Sequence, residues 1–175
     1  HYTVHWPGEE PFSARGIRRS PLYYLLKEKG AVYGAKYGWE RANWFAPEGT
    51  KPEDELSFDY PGWFKHVGEE HRAAREDVVL IDQSSFCKYK ISGPGALTFL
   101  NYISANNIDK PKGHVTYTQL CNDRGTVEAD LTIARLDEEI FWIITGTSFG
   151  LHDSEWIKKQ MPKDGSVMMR EITSA

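Results

Sequence analysis

The sequence predicts an α+β fold, a mixed sheet with packed helices. Three observations lead there. Short β-rich runs recur at Val115 to Cys121, Leu131 to Leu136 and Ile140 to Thr145. Between Ala96 and Ile103, apolar side chains fall at Ala96, Phe99, Leu100 and Ile103, the i, i+3, i+4, i+7 positions of one helical face. Beyond residue 77 the order is strand, helix, strand, hairpin, helix, strand, an α+β pattern with no internal repeat.

Residues 1–19 read as irregular, with an extended-looking opening at His1. Ser20 is a candidate N-cap and Pro21 sits at the first helical position, where its missing N–H is harmless. Leu22, Leu25 and Leu26 then line one face and Gly30 ends the segment, which predicts a helix over 20–29. From Ala31 to Trp63, glycines and prolines at 34, 38, 47, 49, 52, 61 and 62 break any periodicity, so an aromatic-rich loop is expected. A loop this apolar needs a larger surface to lie against, such as a neighbouring domain. A polar helix is predicted over 64–76, its charges forming a solvated face. Val78 to Asp82 reads as a buried strand or strand entry, and Phe86 to Ile91, with lysines at 88 and 90, as a half-buried strand. Ser92 to Gly95 turns into a helix over 94–104, with Leu97 at the margin of its apolar face. Residues 105–114 form a polar loop, and Asn122 to Gly125 a turn after the strand at 115–121. Asp137 to Glu139 joins the two runs of a hairpin. A helix over 148–161, with Leu151, Trp156, Ile157 and Met161 as apolar positions, and a strand over 166–172 complete the chain.

Composition narrows the classes. The 175 residues are 40% apolar and 26% charged, within the range of a soluble globular protein. The net charge of −4, from 21 basic and 25 acidic side chains, argues against a nucleic-acid partner. No apolar run approaches the roughly 20 residues that span a bilayer, so no membrane partner is expected. The 13% aromatic content, six Trp included, suits core and inter-domain packing. Cys87 and Cys121 are the only cysteines, a sparse use that suits a reducing compartment. The chain opens on His1 rather than Met and stops at Ala175 just after a predicted strand. A piece of a longer protein is therefore expected.

Motif by motif, most signals dissolve. Gly93-Pro-Gly95 follows a strand and opens a helix, where a dinucleotide fingerprint would lie. The third glycine is Thr98, and Pro94 removes a backbone donor that would cradle a pyrophosphate. A tight turn explains it better. His66 and His71 are five apart and share no helical face, no HExxH exists, and neither cysteine has a nucleophile's context, so no metal site is expected. The stretch Tyr117 to Arg135 is different. It sets a tyrosine, a loop with Asn122 and Gly125, and Asp130 before the apolar Leu131 and Ile133. Two readings of Asp130 stay open on pattern alone. It is either a turn acid bonded to backbone N–H groups of the 122–129 loop, or a partly desolvated carboxylate that holds a ligand's amine N–H.

Tyr117, Asn122, Gly125 and Asp130 with Leu131 resemble the pattern of the glycine-cleavage T-protein family, the tetrahydrofolate-binding aminomethyltransferases. That pattern is a tyrosine, an N-x-x-G-G turn and an aspartate before a hydrophobic strand. The looser match runs from Arg72 to Ala134, through Val79 to Lys88 and Ser92-Gly93-Pro94. Upstream, Arg18 to Tyr23 and Tyr37 to Phe45 are similar to the junction before the folate domain in the dimethylglycine and sarcosine dehydrogenase family. A similar junction occurs in the regulatory subunit of pyruvate dehydrogenase phosphatase.

The resemblance implies residues 1–63 as the junction from a preceding flavin-oxidoreductase domain and 64–175 as the N-terminal part of a T-protein-like folate-binding domain. It implies tetrahydrofolate here, FAD in a domain outside this chain, and an N-methyl amine substrate. Asp130 takes the catalytic role and Tyr117, Asn122 and Gly125 the cofactor-binding ones. The parent's location follows as the mitochondrial matrix if eukaryotic, otherwise the cytoplasm. The alternative is a non-catalytic regulatory subunit whose partner is a phosphatase catalytic subunit. Thr126 stands where the family often has a second glycine, a departure that reshapes the turn.

Overall fold

The computed structural model describes residues 4–174. The extended opening expected at His1 and the final Ala175 lie outside the described residues. The chain divides into two compact units, His1–Ser85 and Phe86–Ala175.

In the first unit a short helix, α1 (Tyr23–Glu28), precedes an antiparallel hairpin, β1 (Ala31–Lys36) and β2 (Trp39–Phe45), and then α2 (Phe64–Glu76). The expected helix over 20–29 is trimmed at both ends. Ser20 does not cap it: Leu22 holds the N-cap position, while the Ser20 hydroxyl accepts the Leu22 N–H and donates to Asp82. The hairpin corrects the loop expected after Ala31. Lys36 pairs with Trp39, so Tyr37 and Gly38 alone make the turn, at φ of +50° and +80°. Two successive positive φ values define the turn whose twist matches paired strands. Tyr37 hid the signal, because asparagine, aspartate or glycine usually stands there. The hairpin's apolar residues Val32 and Trp44 are buried with Ala46 against Trp63 and Val67. The Trp44 indole N–H donates to Asp54 at 2.8 Å and its ring stacks on His66 at 5.4 Å between centroids. Val78 to Asp82 is not the buried strand expected. It joins no ladder, and Val78, Leu80 and Ile81 stand 84%, 83% and 67% exposed.

The second unit is a five-stranded sheet with two helices. Its elements are β3 (Cys87–Ser92), α3 (Ala96–Ile103), β4 (Val115–Cys121), β5 (Val127–Arg135), β6 (Ile140–Thr145), α4 (Gly150–Gln160) and β7 (Met168–Glu171). Strand order is β4-β5-β6-β3-β7. The α+β class holds, but the sheet has only antiparallel ladders where a mixed one was expected. The period of two along each strand sorts the side chains. Tyr89, Ile91, Leu120, Leu131, Ile133, Phe141 and Ile143 turn inward and bury against Phe99, Leu100 and Ile103 of α3 and Ile157 of α4. Phe141, Leu100 and Ile157 are fully inaccessible, and each such burial contributes about 1.5–3 kcal/mol. Leu151, expected on the apolar face of α4, is 79% exposed. The alternate residues, Thr132, Ala134, Trp142, Ile144, Lys88 and Lys90, face the other side of the sheet, and none is buried. One sheet face thus packs and the other stays open.

Candidate functional site

Asp130 lies on the open face. It is the fourth residue of β5, not the head of a strand, because pairing with β4 carries β5 back to Val127. Its register partner is Gln119, and Tyr117 pairs with Thr132, so Tyr117 and Asp130 are diagonal neighbours, within reach of an aromatic side chain. The Tyr117 hydroxyl donates to Asp130 Oδ2 at 2.7 Å. That bond to an anion raises the Tyr117 phenol above its ordinary 10.0. Among the described residues the Asp130 carboxylate is held by a side chain of the neighbouring strand and not by N–H groups of the 122–129 loop. The carboxylate is exposed rather than partly desolvated. Its Oδ1 carries no hydrogen bond among the described residues, so one oxygen is anchored and the other is available.

Asn122 and Gly125 belong to the adjoining turn. Asn122 Oδ1 accepts the backbone N–H groups of Arg124 and Thr126 at 3.0 and 3.2 Å. Its amide donates to Thr126 Oγ1 at 2.6 Å and to Glu128 Oε1 at 2.7 Å. Asn122 is therefore a staple within its own loop. Gly125 adopts φ of +74° with open space around it, a turn requirement and not a close approach. Thr126, the departure from the family pattern, is one of the residues the Asn122 amide grips. The structure brings Tyr117 and Asp130 together and leaves Asn122 and Gly125 as the turn that begins β5.

Several residues on or beside this face escaped the sequence reading. Gln119 pairs with Asp130. Trp142 lies in register with Ala134 and Lys90, and Lys90 in register with Arg170. At the turn, a chain of polar contacts runs inward. Glu128, held by Asn122, stands 3.7 Å from His152 Nε2. His152 Nδ1 meets Asp153 Oδ1 at 3.0 Å, and Thr145 donates to the buried Asp153 at 2.5 Å. Alternation along 127–135 and 87–92 could have placed Asp130, Lys88 and Lys90 on one face. Only strand register tells which of them are neighbours.

The glycines that resembled a fingerprint serve packing. A Cβ on Gly93 would lie 2.4 Å from the Ser166 carbonyl oxygen, and the Gly95 N–H already donates to that oxygen at 3.0 Å. Among the described residues no group of three His, Cys, Asp or Glu is placed to hold a metal ion. No helix there is long and apolar enough to cross a membrane. A separate cavity of about 560 Å³ lies within the first unit, lined by Glu40, Glu70, His71, Leu80 and Asp82 among others.

The arrangement can do two things chemically. A carboxylate with one free oxygen accepts an amine N–H or its proton. An apolar floor with a tyrosine and a tryptophan accepts a flat ring. Known proteins resemble this chain over most of its length. The family model described as the GCVT N-terminal domain matches residues 22–175. The chain is 42% identical over 99% of its length to 4-methylaminobutanoate oxidase (formaldehyde-forming) of Paenarthrobacter nicotinovorans, covering 21% of that protein. It is 36% identical over 98% of its length to the mitochondrial pyruvate dehydrogenase phosphatase regulatory subunit of Mus musculus, covering 20%. It is 35% identical over 97% of its length to mitochondrial dimethylglycine dehydrogenase of Rattus norvegicus, covering 20%. The chain thus spans about a fifth of the length of these relatives. Among solved structures, the glycine cleavage system aminomethyltransferase T from Bartonella henselae superposes with a TM-score of 0.70 at 23% identity. It covers 90% of this chain and 38% of the other, and establishes the shared fold.

Proposed function

The chain belongs to the GCVT N-terminal domain family, and on that premise we propose that it is the first part of a folate-binding domain in a flavin-dependent N-methylamine dehydrogenase, of the dimethylglycine or sarcosine type. The observation that carries this reading is the Tyr117–Asp130 pair on the open sheet face, with Oδ2 anchored and Oδ1 free. The residues present fit a reduced folate: Asp130 offers an acceptor for a ring N–H, and Tyr117, Trp142 and the apolar residues between them offer a surface for flat rings. When bound, tetrahydrofolate supplies the amine that takes up a one-carbon unit. Asp130 holds that amine through Oδ1, receives its proton and stabilises positive charge nearby. Tyr117 fixes the carboxylate so that Oδ1 does not rotate away. Asn122 and Gly125 shape the turn that sets where β5 begins. Capture within the protein that generates the one-carbon unit raises effective concentration and keeps formaldehyde from escaping. The flavin centre would lie in the part of the relatives' length that this chain does not match.

The test uses the protein at its full natural length. Asp130→Ala should redirect product from methylenetetrahydrofolate to free formaldehyde while amine oxidation continues. An unchanged methylenetetrahydrofolate yield would remove Asp130 from the chemistry.

A second reading is a non-catalytic regulatory subunit of pyruvate dehydrogenase phosphatase that keeps the scaffold for a phosphatase catalytic subunit. It is supported by 36% identity over 98% of this chain. Capture of that catalytic subunit with no amine oxidation would favour it, and measurable amine oxidation would exclude it. Two of the relatives are named as mitochondrial, which supports a matrix location if the source is eukaryotic.

A further inference from the structure

We infer that Lys90 and Arg170 form a carboxylate-binding subsite on the open sheet face, taking the acidic tail of the ligand whose amine Asp130 holds. The inference rests on the folate-binding reading. Lys90 and Arg170 are register partners across β3 and β7. Their neighbours Tyr89, Ile91 and Met169 join the packed side, so both cations project from the open side. Like charges directly opposite on a ladder destabilise it. Nothing in the free protein relieves them: among the described residues neither has an ion-pair or hydrogen-bond partner. A bound carboxylate between them would turn a repulsive pair into two charge-assisted hydrogen bonds.

The rest of the face gives the ligand a direction. Asp130 puts negative charge at one end, and Lys90 and Arg170 put positive charge at the other. Between them lie Thr132, Ile144, Ala134 and Trp142, the last in register with Lys90. β5 and β3 are two strand spacings apart, and Asp130 lies four residues along β5 from Ala134, which is in line with Trp142 and Lys90. At about 4.8 Å per strand and about 3.4 Å per residue, the diagonal is roughly 17 Å. A pterin ring alone is too short for that span. A pterin joined through an aryl group to an amino-acid carboxylate can bridge it, with amine on acid and carboxylate on base. Cations on an edge strand also guard against edge-to-edge pairing, but a guard is indifferent to a ligand's tail.

The experiment compares binding of tetrahydrofolate with that of tetrahydropteroate, which keeps the pterin and aryl rings and lacks the glutamate. The protein at its full natural length is titrated in low salt. The wild type should bind tetrahydrofolate about tenfold more tightly. The double variant K90A/R170A should lose that preference while holding tetrahydropteroate unchanged, and K90R/R170K should keep it. Equal binding of both pterins by the wild type overturns the subsite and leaves the folate reading standing. A double variant that keeps its preference also overturns it. Failure of the wild type to bind either pterin overturns the folate reading and the subsite with it.

Discussion

Tyr117 and Asp130 meet diagonally across β4 and β5, with the phenol donating to Asp130 Oδ2 at 2.7 Å. Each residue sits inside a paired strand, so the bond is set by register and not by a mobile loop. Removing the donor should loosen the carboxylate without removing it. Tyr117→Phe should weaken folate binding about threefold to tenfold, and Asp130→Ala should slow one-carbon capture by about a hundredfold. Equilibrium titration and single-turnover measurement of methylenetetrahydrofolate separate the two effects.

The same bond has a spectroscopic signature. Ionising Tyr117 places a phenolate beside a carboxylate and breaks the hydrogen bond, so its pKa stands above 10.0. Asp130→Asn removes the anion, and the phenol should then titrate at lower pH. Alkaline difference spectra should show one tyrosine ionising earlier in the variant. Burial pushes Tyr33 and Tyr89 up to about 12, which keeps those two out of the range that matters.

In the first unit, Arg15 grips the buried Glu40 carboxylate with two nitrogens, at 2.9 and 2.7 Å, and the Gly16 N–H adds a third bond at 2.6 Å. The Arg15 hydrogen bond holds the Glu40 pKa below its ordinary 4.5. The stabilisation is therefore complete above that ordinary value and is lost as pH falls through the lowered one. Arg15→Ala should destabilise the unit by about 2–3 kcal/mol at neutral pH, because it strands a buried charge. In urea titrations followed by the fluorescence of Trp39 and Trp44, wild-type stability should fall more steeply below pH 4.5 than that of Glu40→Gln.

Two glycines should respond differently to the same substitution. Gly93 has φ of +121° and faces the backbone oxygen of Ser166, whereas Gly125, at +74°, has nothing within 4 Å. Gly93→Ala should destabilise by more than about 2 kcal/mol, since a backbone atom must move. Gly125→Ala should meet only the left-handed strain of about 1 kcal/mol, and Gly125→Asn less. Thermal unfolding checks both. Folate binding by Gly125→Asn separates a turn-forming role from a ligand contact.

Much of the second unit was legible because its signals are local. The helical face of Phe99, Leu100 and Ile103 and the runs at 115–121 and 140–145 declare their period without reference to partners. The β1–β2 hairpin was hidden because its turn uses Tyr37 and its glycines read as breakers. Val78 to Asp82 failed in the other direction. An apolar run specifies a strand only where another backbone is present to pair with it. For the site, pattern singled out Tyr117 and Asp130, but their bond and the Lys90–Arg170 pairing depend on register, which only the assembled sheet supplies.

The position of β3 also bears on how the second unit assembles. It comes first among these strands, yet it pairs with β6 and β7, the last two. Nascent β3 has no neighbour until β6, about two-thirds of the way through the unit, has left the ribosome, and such distant closure slows folding. A polypeptide cut before Met168 would present one flank of β3 as a bare, adhesive rim, so Met168–Glu171 acts as a clasp against self-association during synthesis.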